Sequence, residues 1–192
     1  LCLSKDLNDL RNRLGKMIIG YNEDDEPVYV SDLKITGSLI ALLKDAINPN
    51  LVQTLENNPC FVHGGPFANI AHGSNSIIST KLALKLSEYT ITEAGFAADL
   101  GAEKFFDITC RKAHITPDAV VLVVTCRAVK EHGLENIKAH IENIENFNVP
   151  IVVSLNLFND DKKEEVDEIV DYVKNLGYQC LVTDSHKCGG NG

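Results

Sequence analysis

The chain has 192 residues, 27 acidic against 18 basic, a formal net charge of −9 at pH 7 and 44% hydrophobic residues. That length fits one domain or a compact pair with a sizeable core, and the composition is globular rather than disordered. The acidic balance argues against a general nucleic-acid binder, and no apolar run approaches the roughly 18 residues of a membrane span.

In chain order, Ser4 is placed to cap a helix over 4–13, with Leu7, Leu10 and Leu14 at helical spacing. Residues 16–21 read as a strand, the acidic run 23–26 with Pro27 as a solvated turn, and 28–30 as the return strand. A second helix runs over 31–46, interrupted at Gly37 and ended by Asn48-Pro49-Asn50. From there strands and helices alternate. Residues 60–63, 89–93, 119–125 (AVVLVVT), 150–155 (PIVVSL) and 178–182 read as strands. Residues 74–87, 99–112, 134–147 and 161–176 read as helices. This rhythm predicts an α/β fold with a mainly parallel sheet and helices on both faces. Residues 1–58 read as a helix and hairpin segment packing on a core formed by 59–192. His132-Gly133 passes into the 134–147 helix with almost no connection.

Ligands of an open parallel sheet bind at the carboxyl ends of its strands. The distinctive side chains fall there. His63 to Gly73 follows the first strand of the alternation. Thr92, Glu93 and Gly95 follow the second, and Thr125, Arg127 and Lys130 the third. Asn156, Phe158, Asn159 and Asp160 follow the fourth, and Asp184, His186, Gly189 and Gly190 the last. The glycine-rich stretch either cradles an anion on backbone N–H groups ahead of a helix N-terminus or makes an ordinary tight turn. Ser74, Asn75 and Ser76 either cap that helix or bond a phosphate. Arg127 and Lys130 either bind phosphate or carboxylate or pair with neighbouring acids. Glu93 either orients a ligand amine or cation or caps a helix. His63, His72, His132 and His186 all sit at loop edges, where a single histidine is more often structural. Phe158 is either core or a ligand platform. No GxxxxGK[ST] phosphate loop occurs in the chain.

Six cysteines, at 2, 60, 110, 126, 180 and 188, include no CxxC pair, so a zinc knuckle is disfavoured. They lie in or beside apolar strand-like runs, as the free thiols of a reduced, cytoplasmic protein do. Leu1 is not a natural initiator and the chain stops at Gly190-Asn191-Gly192, so both ends read as cut.

The stretches GGPFANIAHG (64–73) and TEAGFAADLGAEKFFDI (92–108) resemble the formate–tetrahydrofolate ligase family. KDAINPNLVQTLE (44–56) and VVTCRAVKEHG (123–133) extend the likeness. It ends around SLNLFNDD and GGNG, so it covers essentially the whole chain. The resemblance implies a ligase that joins formate to N10 of tetrahydrofolate with ATP, through formyl phosphate, giving 10-formyltetrahydrofolate. It implies ATP with magnesium, activation by a monovalent cation such as potassium, a homotetramer, a cytoplasmic location, and no nucleic-acid or membrane partner.

For individual positions it implies Arg127, Glu93 and His72 as catalytic residues and no protein metal site. Phe158 matches one of two aromatic residues that stack the pterin, and His186 falls where the other, usually Trp, is found. Gly64, Gly65, Asn69, Ala71, Gly95, Gly189 and Gly190 are the implied nucleotide or phosphate contacts. The implied architecture is P-loop NTPase-like with the P-loop segment absent, so 59–192 is a partial folate- and nucleotide-binding core. The family's second glycine after Gly133, and a connecting segment there, are missing. The competing expectations are a truncated, inactive folate- or nucleotide-binding homologue and an interaction module completed by a partner.

Overall fold

The computed structural model describes residues 1–192, which form two compact units. The first is Leu1–Gly95 with Asp107–His114, and the second is Phe96–Phe106 with Ile115–Gly192. Residues 59–95, expected with the parallel core, belong to the first unit because their strand pairs locally.

In the first unit, α1 (Leu7–Gly15) starts at Asp6, not Ser4. The Asp6 carboxylate accepts the Asp9 N–H at 2.8 Å, and Leu10 is fully buried. Strands β1 (Ile18–Tyr21) and β2 (Pro27–Tyr29) form an antiparallel hairpin. Its acidic tip is a turn organised by Asn22, whose side-chain oxygen accepts the N–H groups of Asp24 (3.0 Å) and Glu26 (2.8 Å). Helix α2 (Thr36–Leu43) is shorter than its periodicity suggests.

Strands β3 (Asn50–Gln53) and β4 (Pro59–Val62) pair antiparallel, Asn50 opposite Val62 and Gln53 opposite Pro59. The apolar run at 60–63 is therefore a hairpin strand and not the first strand of a parallel sheet. The adjacent chain reaches it before any distant strand does, and short loop closure costs little. Helix α3 (Ile77–Leu86) follows. Residues 89–93 form no strand: Ile91 is 96% exposed and Tyr89 82%. β-Propensity alone does not hold a strand, which needs a neighbour to satisfy its backbone.

The second unit opens with a π-helical stretch, Ala97–Ala102. Another, Phe105–Cys110, runs into the short α4 (Arg111–Ala113) of the first unit. Residues 99–112 are thus helical as expected, but largely underwound into the wider and uncommon π form.

Strands β5 (Val120–Val124), β6 (Ile151–Asn156) and β7 (Gln179–Thr183) form a three-stranded parallel sheet in the order β5-β6-β7. Helices α5 (Cys126–His132) and α6 (Glu135–Glu145) cross from β5 to β6, and α7 (Lys163–Asn175) crosses from β6 to β7. Gly133, at φ +80°, closes the α5–α6 junction, its N–H donating to the Val129 carbonyl at 2.7 Å. Only a glycine takes that conformation cheaply.

Both crossovers step the same way along the sheet. Right-handed crossovers then put all three helices on one face. On that face Val124, Val153 and Leu155 bury against Ile137, Ile141, Ile169 and Val173. On the other, Val121 (62%), Val123 (62%) and Leu181 (57%) are exposed. The expectation of helices on both faces is corrected for this unit: covering the second face needs a crossover in the opposite direction, and these three strands have none.

Candidate functional site

In the second unit, parallel register brings the ends of β5 and β6 to one edge, Val124 beside Leu155. The Thr125 hydroxyl accepts the Ala128 N–H at 3.1 Å and caps α5. Three side chains of α5 then reach the loop and helix that follow β6. Cys126 is buried and its thiol bonds the Asp161 carboxylate. Burial, with Asp161 adding to it, pushes that thiol up to about 11, so it stays protonated and serves as a donor. Arg127 donates to Asp160 at 2.8 Å, and its guanidinium carbon lies 4.1 Å from the centre of the Phe158 ring. Lys130 pairs with Glu165 at 2.7 Å.

Asp161 also accepts the Phe158 N–H at 2.8 Å and returns its own N–H to the Phe158 carbonyl at 3.1 Å. Phe158 is half-buried but does not belong to the apolar cluster beneath the sheet. Of the two readings of Arg127 and Lys130, the structure realises the ion pairs. The Arg127 bond holds the Asp160 carboxyl below its ordinary value, and the Lys130 bond does the same for Glu165.

His186 lies on the exposed short helix α8 (Ser185–Cys188) just beyond β7, at the same edge of the sheet as Phe158. Gly189 and Gly190 follow in a single 3-10 turn, with Gly189 at φ +59°. The cation, the aromatic ring, the imidazole and the glycines thus all emerge from the carboxyl ends of adjacent strands.

In the first unit, the glycine-rich loop is built on buried polar contacts. His63 donates from Nε2 to the Ala46 carbonyl at 2.8 Å, because a carbonyl only accepts. Its Nδ1 hydrogen-bonds the Ser76 hydroxyl, 2.6 Å away. Ser76 Oγ also accepts the Ser79 N–H at 3.1 Å, capping α3. Asn75 ties the strand end to the helix start: its amide donates to the Phe61 carbonyl at 2.9 Å, and its oxygen accepts the N–H groups of His63 (3.2 Å) and Ser76 (2.9 Å). The Ser74 hydroxyl bonds that of Thr109 at 2.9 Å.

Ser76, Ile77 and Ser79 are fully buried or nearly so. The capping reading of Ser76 therefore holds, and the first turn of α3 is closed to solvent rather than open to a phosphate. What remains outside is Gly64, Gly65 and Asn69, all exposed, with Ala71 half-buried and His72 buried. Gly64 and Gly73 take φ of +78° and +66°. Glu93 and Gly95 sit in the exposed segment after α3, Gly95 at φ +73°.

Two open hollows border α1, one lined by Lys5, Asn8, Lys44 and Ile78, the other by Arg11, Lys16, Tyr29, Ser31 and Thr36. Neither takes in an expected site residue. Sequence reasoning missed Asp161 as the joint between Phe158 and Cys126, and the His63–Ser76 pair. The only local signal for Asp161 was an acid three residues after Phe158, the spacing of a side-chain-closed turn.

The chain is of the α/β class, with a cation, an aromatic ring and an imidazole at the carboxyl edge of its parallel sheet. A family model described as "Formate--tetrahydrofolate ligase" matches residues 1–192. The chain is 54% identical, over 95% of its length, to the formate–tetrahydrofolate ligase of Sinorhizobium medicae strain WSM419. It is 53% identical to those of Rhizobium meliloti strain 1021 and Sinorhizobium fredii strain NBRC 101917 / NGR234, again over 95% of its length. The chain belongs to the formate–tetrahydrofolate ligase family. It spans about a third of the length of these relatives, 35–36%.

Proposed function

We propose that the chain is part of a ligase that joins formate to tetrahydrofolate with ATP. The observation that supports this most directly is Phe158, held outside the apolar core at the carboxyl end of β6 in a chain of this family. A formate oxygen attacks the γ-phosphorus of ATP, ADP leaves, and formyl phosphate forms. The N10 lone pair of tetrahydrofolate then attacks the formyl carbon. The bond from that carbon to the phosphate oxygen breaks, inorganic phosphate leaves, and N10 loses its proton. Such chemistry is chiefly positioning and charge neutralisation.

In this reading the pterin stacks on Phe158, with His186 in place of a second, larger aromatic. An imidazole stacks with less area than an indole. Within the first unit Gly64, Gly65, Asn69, Ala71 and Gly95 are the candidates to present backbone to phosphate, and within the second Gly189 and Gly190 are, since the lack of a side chain at the glycines permits close approach. Arg127 is the cation at the folate end, and in the first unit Glu93 and His72 are the catalytic carboxylate and imidazole candidates. Magnesium enters with ATP as part of the substrate.

A P-loop NTPase-like architecture, a homotetramer, activation by potassium and a cytoplasmic location belong to the same proposal. Six free cysteines are in keeping with the last, and no helix is long and apolar enough to cross a membrane. Calorimetric titration of tetrahydrofolate into the 192-residue chain tests the folate placement. Saturable binding is expected, weakened about tenfold or more by Phe158→Ala. Absence of binding, or equal binding by the variant, overturns it.

A further inference from the structure

Arg127 leaves β5 at the first turn of α5, and Phe158 leaves the neighbouring β6 two residues past its end. The backbone of Phe158 is fixed by the reciprocal Asp161 turn, and Asp161 is itself held by the buried Cys126 thiol. That fixes where the ring starts but not how it is turned. A phenyl ring packed in a core has its torsions set by its neighbours. Phe158 is outside the apolar cluster, and the group placed over its face is the Arg127 guanidinium, 4.1 Å from the ring centre. That guanidinium is held in turn by Asp160 at 2.8 Å. A planar guanidinium suits both jobs, because it stacks on an aromatic face while its edge bonds a carboxylate.

We infer that Arg127 is a positioning residue for the folate ring: anchored by Asp160, it covers one face of Phe158 and sets the ring plane, so that a planar heteroaromatic ligand stacks on the other face. The inference rests on the folate reading of Phe158. It makes the cation at the folate end act through the aromatic platform.

Two measurements on the 192-residue chain test it. The first needs no ligand. The chain is labelled with 4-fluorophenylalanine, and the Phe158 signal is assigned by its loss in Phe158→Leu. Arg127→Ala is expected to shift that signal, and Asp160→Asn to shift it in the same direction by less. An unchanged signal in Arg127→Ala overturns the positioning role. The second is calorimetric titration with tetrahydrofolate. Arg127→Ala is expected to weaken binding about three- to fivefold, with Arg127→Lys recovering roughly half of the loss because it keeps the charge but not the planar fork. Loss of binding in Phe158→Ala with wild-type affinity in Arg127→Ala overturns the positioning role and leaves the folate reading standing. Equal binding by Phe158→Ala and the unsubstituted chain overturns the folate reading, and the inference with it.

Discussion

Gly73 shows how a single atom constrains the loop at 63–76. At φ +66°, an added Cβ would overlap the Cβ of Ala68 and come within 2.7 Å of its backbone. Gly73→Ala is therefore expected to lose about 2 kcal/mol or more, through left-handed strain and the clash together, read as a lower urea midpoint with unchanged slope. Ser76 carries a different load. Truncation to Ala removes the cap of α3 and strands the buried Nδ1 of His63, so a loss of about 2 kcal/mol is expected in the same experiment. Both residues stood out in the sequence as members of a glycine-rich, hydroxyl-rich stretch. Their division of labour did not, because it depends on Ala46 and Asn75 arriving from different elements. At the sheet edge, His186→Trp is expected to tighten tetrahydrofolate binding in the calorimetric assay by enlarging the stacking surface. Unchanged affinity in both His186→Trp and His186→Ala would remove His186 from the site.

At the scale of elements, α5 acts as a clamp on the segment that follows β6, through Asp161, Asp160 and Glu165. The pH dependence of the Lys130–Glu165 tie follows from two opposite shifts. The hydrogen bond from Lys130 lowers the Glu165 carboxyl, so its stabilisation is present above the ordinary glutamate value and fades as pH falls through the lowered one. The hydrogen bond to Glu165 raises the Lys130 ammonium, so its stabilisation is present below the ordinary lysine value and fades as pH rises through the raised one. A double-mutant cycle of Lys130→Met and Glu165→Gln is expected to give a coupling that is flat between roughly pH 5 and 10 and falls outside that window. Coupling that changes sharply near neutral pH would contradict it. Thr125→Ala, which uncaps α5, is expected to lower stability by about 1 kcal/mol in urea denaturation.

Element identity was legible where the sequence pattern was long. The runs at 119–125 and 150–155 are strands because β-branched residues fill both faces of a pleat. Helix α7 follows its apolar stripe, with Ile169 and Val173 buried. The run at 89–93 has equal β-propensity yet forms no strand, since propensity does not supply a neighbour.

At the scale of the molecule, the parallel unit rests on the single cluster under its sheet. Leu155→Ala, at a fully buried position, is expected to cost about 2–5 kcal/mol, measured by urea denaturation of the chain. The sequence by itself determined the family, because long motifs recur in a fixed order from 44 to 192. It also determined the strands and helices whose residue patterns are local and periodic. The tertiary structure alone decided that 60–63 joins a hairpin, that helices cover one face of the β5-β6-β7 sheet, and that Arg127 serves Asp160 and Phe158 across more than thirty residues of chain. The physical reason is range. Helical and strand periodicity is written in neighbouring residues, whereas strand partners, crossover direction and ion pairs are settled only when distant segments compete for the same backbone bonds, faces and charges.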